Sequence, residues 1–243
     1  MSDNATAGGG TIVSLTFDDG TADQYLVRPL LAAAGLRATF FVNSNTVGSS
    51  AAFLSWEELY ELAADGHEIG GHTLDHVDLT AVDASEAARQ VGQDRDALAA
   101  RGFAVTGFAY PFGARSESVK SIVHDCGYRS ARRSWGLCAA GIKVPGSAEP
   151  VAETVPPKDS WAVRSIPSVR TSNTLADLQG VVTRAEDAGG GWVPLVFHRV
   201  SDEAGGGGYS VGSATLAAFA EWLAGRASHG THVRAVQEVV GGA

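Results

Sequence analysis

The feature that most constrains this chain is an ordered alternation of two kinds of segment. A β-branched, apolar run TIVSLTF (11–17) is followed by LVRPLLAAAGLR, which reads as a helix stopped by Gly35. A second apolar run ATFFVN (38–43) comes next. SWEELYELAADG repeats the helical signal: Ser55 and Glu58 have capping-box spacing, Leu59, Leu62 and Ala63 share one face, and Gly66 ends it. HEIGGH then reads as a short strand end, the stretch from Asp83 to Ala100 as a helix, and GFAYPFG (107–113) as a strand. ESVKSIVHDCG, TLADLQGVVTRAEDAGG and SATLAAFAEWLAGR read as further helices, WVPLVFH (192–198) as a buried strand, and HVRAVQEVVGG as a last short pair of elements. Strands and helices in strict turn, with short joints, predict an α/β fold whose sheet is mostly parallel and whose crossovers are right-handed. Chemistry in such folds gathers at the carboxyl ends of the strands.

At 243 residues, with no internal repeat and no linker, the chain is expected to form one domain over 11–243, preceded by a flexible segment 1–10. The proline-bearing stretch from 134 to 160 reads as a long loop, and the tetraglycine Gly205–Gly208 as a surface loop, since no lysine follows it as a phosphate cradle requires. A net charge of −9 offers no basic field for nucleic acid, and no apolar run is long enough to cross a bilayer. MSDNATAGGG lacks the basic and apolar regions of an export signal. Cys126 and Cys138 can form one disulfide or remain two thiols, a pattern compatible with either compartment.

Against this framework, TFDDG sets two like charges, Asp18 and Asp19, at the exit of the first strand. Taken alone, DDG is a common turn. If both carboxylates face one cleft, a proton or a cation must settle their repulsion. GGHTLDH offers a cation site: on one helical turn, His72 and His76 present their imidazoles on the same side. One carboxylate with two imidazoles leaves coordination open for water and substrate, and it leaves the other carboxylate free as a base. LVFH adds His198 at the end of a later strand, on the same side of the fold. His67 and Glu68 are read as strand residues behind that site, while His124, His229 and His232 have no partner at ligand spacing.

TFDDG, HTLDH, YPFG and LVFH, in this order, resemble the polysaccharide deacetylase family, the NodB-homology domain of carbohydrate esterase family 4; with the closing helix, the likeness covers nearly the whole chain. The resemblance implies a distorted (β/α)7 barrel. It implies a divalent metal, zinc with cobalt or nickel as alternatives, held by Asp19, His72 and His76. It also implies Asp18 as catalytic base, His198 as catalytic acid and the Phe112 backbone N–H as an oxyanion donor. The implied substrate is an acetylated glycan, N-acetylglucosamine polymers or oligomers of chitin or peptidoglycan type. Acetylxylan esterase or a weakly catalytic glycan-binding homologue are the alternatives. Tyr110, Pro111, Trp161 and Leu195 are the implied sugar contacts, with Leu195 at the acetyl methyl. A family acting on such polymers implies a monomer that is secreted or attached to the cell wall. One position departs from the pattern: many members carry arginine where this chain has Ala109, so the cation orienting Asp18 is expected from Arg164, or from Arg170. A carboxylate is expected to hold His198, with Asp177 and Asp202 as candidates.

Overall fold

The computed structural model describes residues 10–138, 150–202 and 208–241. Seven strands alternate with helices through most of the chain: β1 (Thr11–Asp18), α1 (Val27–Ala34), β2 (Thr39–Val42), α2 (Trp56–Ala64), β3 (Glu68–Gly71), α3 (Ala84–Ala99), β4 (Gly107–Ala109), α4 (Glu117–Asp125), β5 (Ser130–Gly136), β6 (Val163–Ser165), α5 (Leu175–Asp187) and β7 (Gly191–Phe197). The chain continues through β8 (Arg199–Val200), β9 (Ser210–Val211), α6 (Ser213–Ala224), β10 (Thr231–Val233) and α7 (Val236–Val240). Helix ends follow their sequence signals. Ser55 accepts the Glu58 N–H while the Glu58 carboxylate accepts the Ser55 N–H, Asp83 accepts the Glu86 N–H to open α3, and Gly35 ends α1 at φ 66°.

Every ladder of the main sheet is parallel, and the order around it runs β7, β1, β2, β3, β4, β5, β6. Strand β10 lies beside the first half of β1, and β2 beside its second half. The sheet curls until the Ile166 and Val169 N–H groups donate to the carbonyls of Pro194 and Val196 on β7. This is the expected distorted barrel of seven strands with helices outside. Strand β1 shows how it is packed: Val13, Leu15 and Phe17 join the large core beneath the helices, while Ser14, Thr16 and Asp18 alternate onto the inner side. A smaller cluster built on Phe41, Ala109, Val163, Trp192 and Val236 fills the barrel. The Trp192 indole N–H there donates to Ser14 Oγ at 2.9 Å.

One reading is revised. The expected loop from 134 to 160 begins later, because SARRSWG is strand β5; its two consecutive arginines hide the alternation of a strand that carries charge into the barrel. Residues 139–149 of that loop lie outside the described residues, as do nine of the ten residues of the expected N-terminal segment and most of the tetraglycine. Cys126 and Cys138 are not joined in a disulfide. No helix among the described residues is long and apolar enough to cross a membrane.

Candidate active site

A cavity of about 420 Å³ opens at the carboxyl ends of the strands, and Asp18, Asp19, His72, His76 and His198 all line it. Adjacent aspartates face the same cavity because of one backbone feature: Asp18 is the last residue of β1, whereas Asp19 sits in the left-handed region at φ 78°, which turns its carboxylate back toward the strand ends. Gly20 follows at φ 65°, where an added Cβ would come within 3.1 Å of Val42. The carboxamide of buried Gln24 ties this exit down by donating to the carbonyls of Asp18 at 2.5 Å and His198 at 2.6 Å. It thus joins the ends of β1 and β7.

The two histidines converge by a different route from the expected one. Residues 72–76 form a bend, not a helical turn, with Thr73 at φ 70° and His76 at φ 57°. The Nε2 atoms of His72 and His76 face Asp19 Oδ1 at 3.4 and 3.2 Å, and the two rings lie 4.9 Å apart. The His72 Nδ1–H donates to the Ala109 carbonyl at 2.7 Å, which leaves Nε2 free for a ligand. One ligand atom from each of the three residues falls within 4.8 Å of the others. Asp19 Oδ1 is buried and accepts no aligned hydrogen bond. An orphaned carboxylate oxygen facing two imidazole nitrogens fits a divalent cation of the zinc type. Burial raises the Asp19 pKa, but the facing imidazole of His72, with His198 and His76 nearby, outweighs it and holds the group at about 2. Burial, reinforced by neighbouring His72, lowers the pKa of His76. Both effects favour the ligand forms, carboxylate and neutral imidazole.

Asp18 has a cation, and it is not the expected one. The Arg132 Nη2 donates to both Asp18 oxygens, at 2.5 and 2.6 Å, with both side chains buried and the guanidinium 5.1 Å above the Phe41 ring. Arg164 instead forms a two-pronged pair with Glu153, through Nε at 2.8 Å and Nη2 at 2.5 Å. Arg170 reaches the cavity rim, where it donates to the Tyr209 hydroxyl at 2.9 Å. The register explains the exchange: Ala109 on β4 is paired directly with Arg132 on β5. The arginine thus stands one strand sideways from Ala109, at the same height.

Other expected contacts separate. Tyr110 and Phe112 line the cavity; Phe112 is exposed, at φ 57°, with its ring 4.6 Å from His76. Pro111 is buried outside the cavity lining. Trp161 packs edge-on against His124 at 5.1 Å and receives the Tyr110 hydroxyl on its carbonyl at 2.9 Å, away from the cavity. Trp135, on β5, lines the cavity instead. Leu195 belongs to the core beneath the helices, because alternation along β7 gives the His198 side to Val196. Neither carboxylate expected at His198 is there: Asp177 caps α5 through Thr174, and Asp202 accepts from the N–H and hydroxyl of Ser213. His198 Nδ1 is buried without a hydrogen-bond partner, and its ring lies 5.3 Å from Tyr209. Arg132, Gln24 and Trp135 carry no sequence signal that singles them out, because the register that sets Arg132 opposite Ala109 is a property of the folded sheet.

Residues 6–131 match the family model for polysaccharide deacetylase. The chain belongs to that family. This deacetylase-family chain is 40% identical over 86 residues to a chitin deacetylase of Pestalotiopsis sp, a match covering 35% of this chain and 28% of the relative. It is 30% identical over 120 residues to a putative polysaccharide deacetylase, YxkH, of Bacillus subtilis (strain 168), covering 48% of this chain and 42% of the relative. The matches thus span less than half of either relative's length. In three dimensions, the T48 deacetylase with substrate superposes with a TM-score of 0.59 at 19% identity over 95% of this chain and 90% of that one. That likeness speaks for the shared barrel of the deacetylase fold.

Proposed function

We propose that this protein is a metal-dependent hydrolase that removes acetyl groups from N-acetylglucosamine-containing glycans. The observation that carries the reading is the sharing of one cavity by a convergent Asp19–His72–His76 donor set and by Asp18, which its buried partner Arg132 holds in place. The names of the relatives, chitin deacetylase and peptidoglycan-N-acetylglucosamine deacetylase among them, support the choice of sugar.

Asp19, His72 and His76 would hold the ion. A divalent ion of the zinc, cobalt or nickel type, when bound, supplies Lewis-acid polarisation and makes bound water more acidic. Asp18 takes the proton of the attacking water, and Arg132 keeps that carboxylate aimed. The backbone N–H of Phe112, at the cavity wall, is the donor for the oxyanion that develops on the acetyl carbonyl. His198 gives its proton to the departing amine, completing the exchange of acetate for hydrogen on the sugar nitrogen. The exposed rings of Trp135 and Phe112 give sugar faces an apolar surface to stack on.

The test is acetate release from N-acetylglucosamine oligomers, with acetylated xylan in parallel, by chelator-stripped protein with and without added zinc. We expect activity to depend on zinc and to fall about 10²- to 10⁴-fold in Asp18→Asn, the usual contribution of a general base. Undiminished turnover in Asp18→Asn would remove it from that role. Preference for xylan would reassign the enzyme to O-acetyl esters.

A further inference from the structure

The bend that presents His72 and His76 holds two non-glycine residues, Thr73 and His76, in the left-handed region, which costs conformational free energy. Such a conformation persists only where its surroundings impose it. One side of the bend is held by Asn43, whose carboxamide donates to the carbonyls of His72 at 2.5 Å and Thr73 at 3.1 Å. The other side rests on α3. Gln90 and Asp94 lie one turn apart on that helix, and both are fully buried, at 1% and 0% exposure. The Leu74 N–H donates to the Gln90 carbonyl at 3.1 Å, and the Asp75 N–H to Gln90 Oε1 at 3.0 Å; the Gln90 amide returns to Asp75 Oδ2 at 2.8 Å. Asp94 Oδ2 accepts from the His72 N–H at 3.0 Å, a donor also shared with the Val42 carbonyl, while Asp94 Oδ1 accepts from the Ser44 N–H at 3.0 Å.

We propose that Gln90 and Asp94 are positioning residues that set the affinity of the His72–His76 bend for its ion, by holding three backbone N–H donors of the bend, those of His72, Leu74 and Asp75, against α3. Three donors spread over four residues are gripped from a single helical turn, so the bend cannot relax to ordinary dihedrals without breaking contacts on α3. The buried Asp94 carboxylate is held by the backbone N–H groups of Ser44 and His72, which follow the ends of β2 and β3. The packing leaves no slack: a Cβ on Gly71, the residue before His72, would lie 2.0 Å from the Tyr128 hydroxyl and 2.7 Å from Asp94 Oδ2. Neither Gln90 nor Asp94 lines the cavity. Their effect must therefore pass through the backbone.

The inference rests on reading Asp19, His72 and His76 as the ion's ligands, and the experiment separates the two. Zinc dissociation constants are measured by competition with a fluorescent chelator on metal-stripped full-length wild type, His72→Ala, Gln90→Met and Asp94→Asn, with the thermal midpoint of each metal-free protein recorded alongside. Wild type binding one zinc that His72→Ala loses establishes the ligand reading. Gln90→Met and Asp94→Asn are then expected to weaken zinc about 10- to 100-fold, the loss typical of residues that orient ligands. Constants within twofold of wild type, with only the thermal midpoint lowered, would reduce both residues to structural props and overturn the proposal. If Asp94→Asn fails to fold, Gln90→Met, which preserves the backbone carbonyl and the volume, decides alone. Wild type that binds no zinc defeats the ligand reading and this inference with it.

Discussion

Arg132 and Asp18 form a charge pair with almost no solvent contact, so each side chain depends on the other. Removing one partner of such a pair leaves an uncompensated buried charge, at about 3–5 kcal/mol. Arg132→Ala is therefore expected to lower unfolding free energy by about that amount and to lose activity together with it. Arg132→Lys retains the charge but not the planar donor set, so it should fold and lose kcat more than KM, since Asp18 is proposed to act on the attacking water rather than on substrate binding. Denaturant titration and steady-state kinetics check the two halves separately. Wild-type kcat in Arg132→Lys would show that charge alone suffices at Asp18.

At the scale of elements, strand alternation decides which side chains meet the cavity, and β7 illustrates it. His198 lines the cavity, whereas Leu195 packs under the helices in the large core. Leu195→Ala is expected to cost about 2–5 kcal/mol of stability, as large-to-small changes in a core do, and to leave KM unchanged once the protein is folded. A raised KM with little loss of stability would return Leu195 to the acetyl pocket. Motif order was legible here because TFDDG, HTLDH and LVFH each end a strand, and their exit residues share the cavity. The partner of Asp18 was not legible, since it depends on which residue of β5 lies beside Ala109 on β4, and parallel register is fixed by crossovers that local sequence does not report. The bend at 72–76 was misread as helical for a related reason. Histidines four apart suit a helical turn, but the strain at Thr73 and His76 is imposed by Asn43 and by α3, which arrive from elsewhere in the chain.

For the whole molecule, the far end of the barrel is closed by α7, and Glu68 anchors it. Glu68 Oε2 accepts from Thr39 Oγ1 at 2.8 Å and from the Gln237 N–H at 2.9 Å, while Oε1 has no partner. Burial, opposed by those hydrogen bonds and aided by the nearby charge of Glu238, raises its pKa from 4.5 to about 7. The folded state therefore binds a proton that the unfolded chain has released between these values, so stability falls as pH rises from about 4.5 to 7. The full loss, on the order of 3 kcal/mol, is present above pH 7 and absent below 4.5. Glu68→Gln is expected to flatten that slope in denaturant midpoints measured across the range. A smaller slope of the same sign should remain from Asp94, which burial raises to about 6. An unchanged slope in Glu68→Gln would show that the proton is bound elsewhere.

What the sequence by itself determined is the alternating α/β architecture, the helix caps and the five residues that follow or end strands around the cavity. Those features rest on local propensity, on side-chain periodicity and on motifs carried by contiguous residues. Only the tertiary structure decided that Arg132 serves Asp18, that Arg164 serves Glu153, that Leu195 faces the helices and that α3 braces the bend of His72 and His76. Each of these joins residues far apart in the chain whose proximity depends on the curl of a parallel sheet, and a curl is a property of all its strands together.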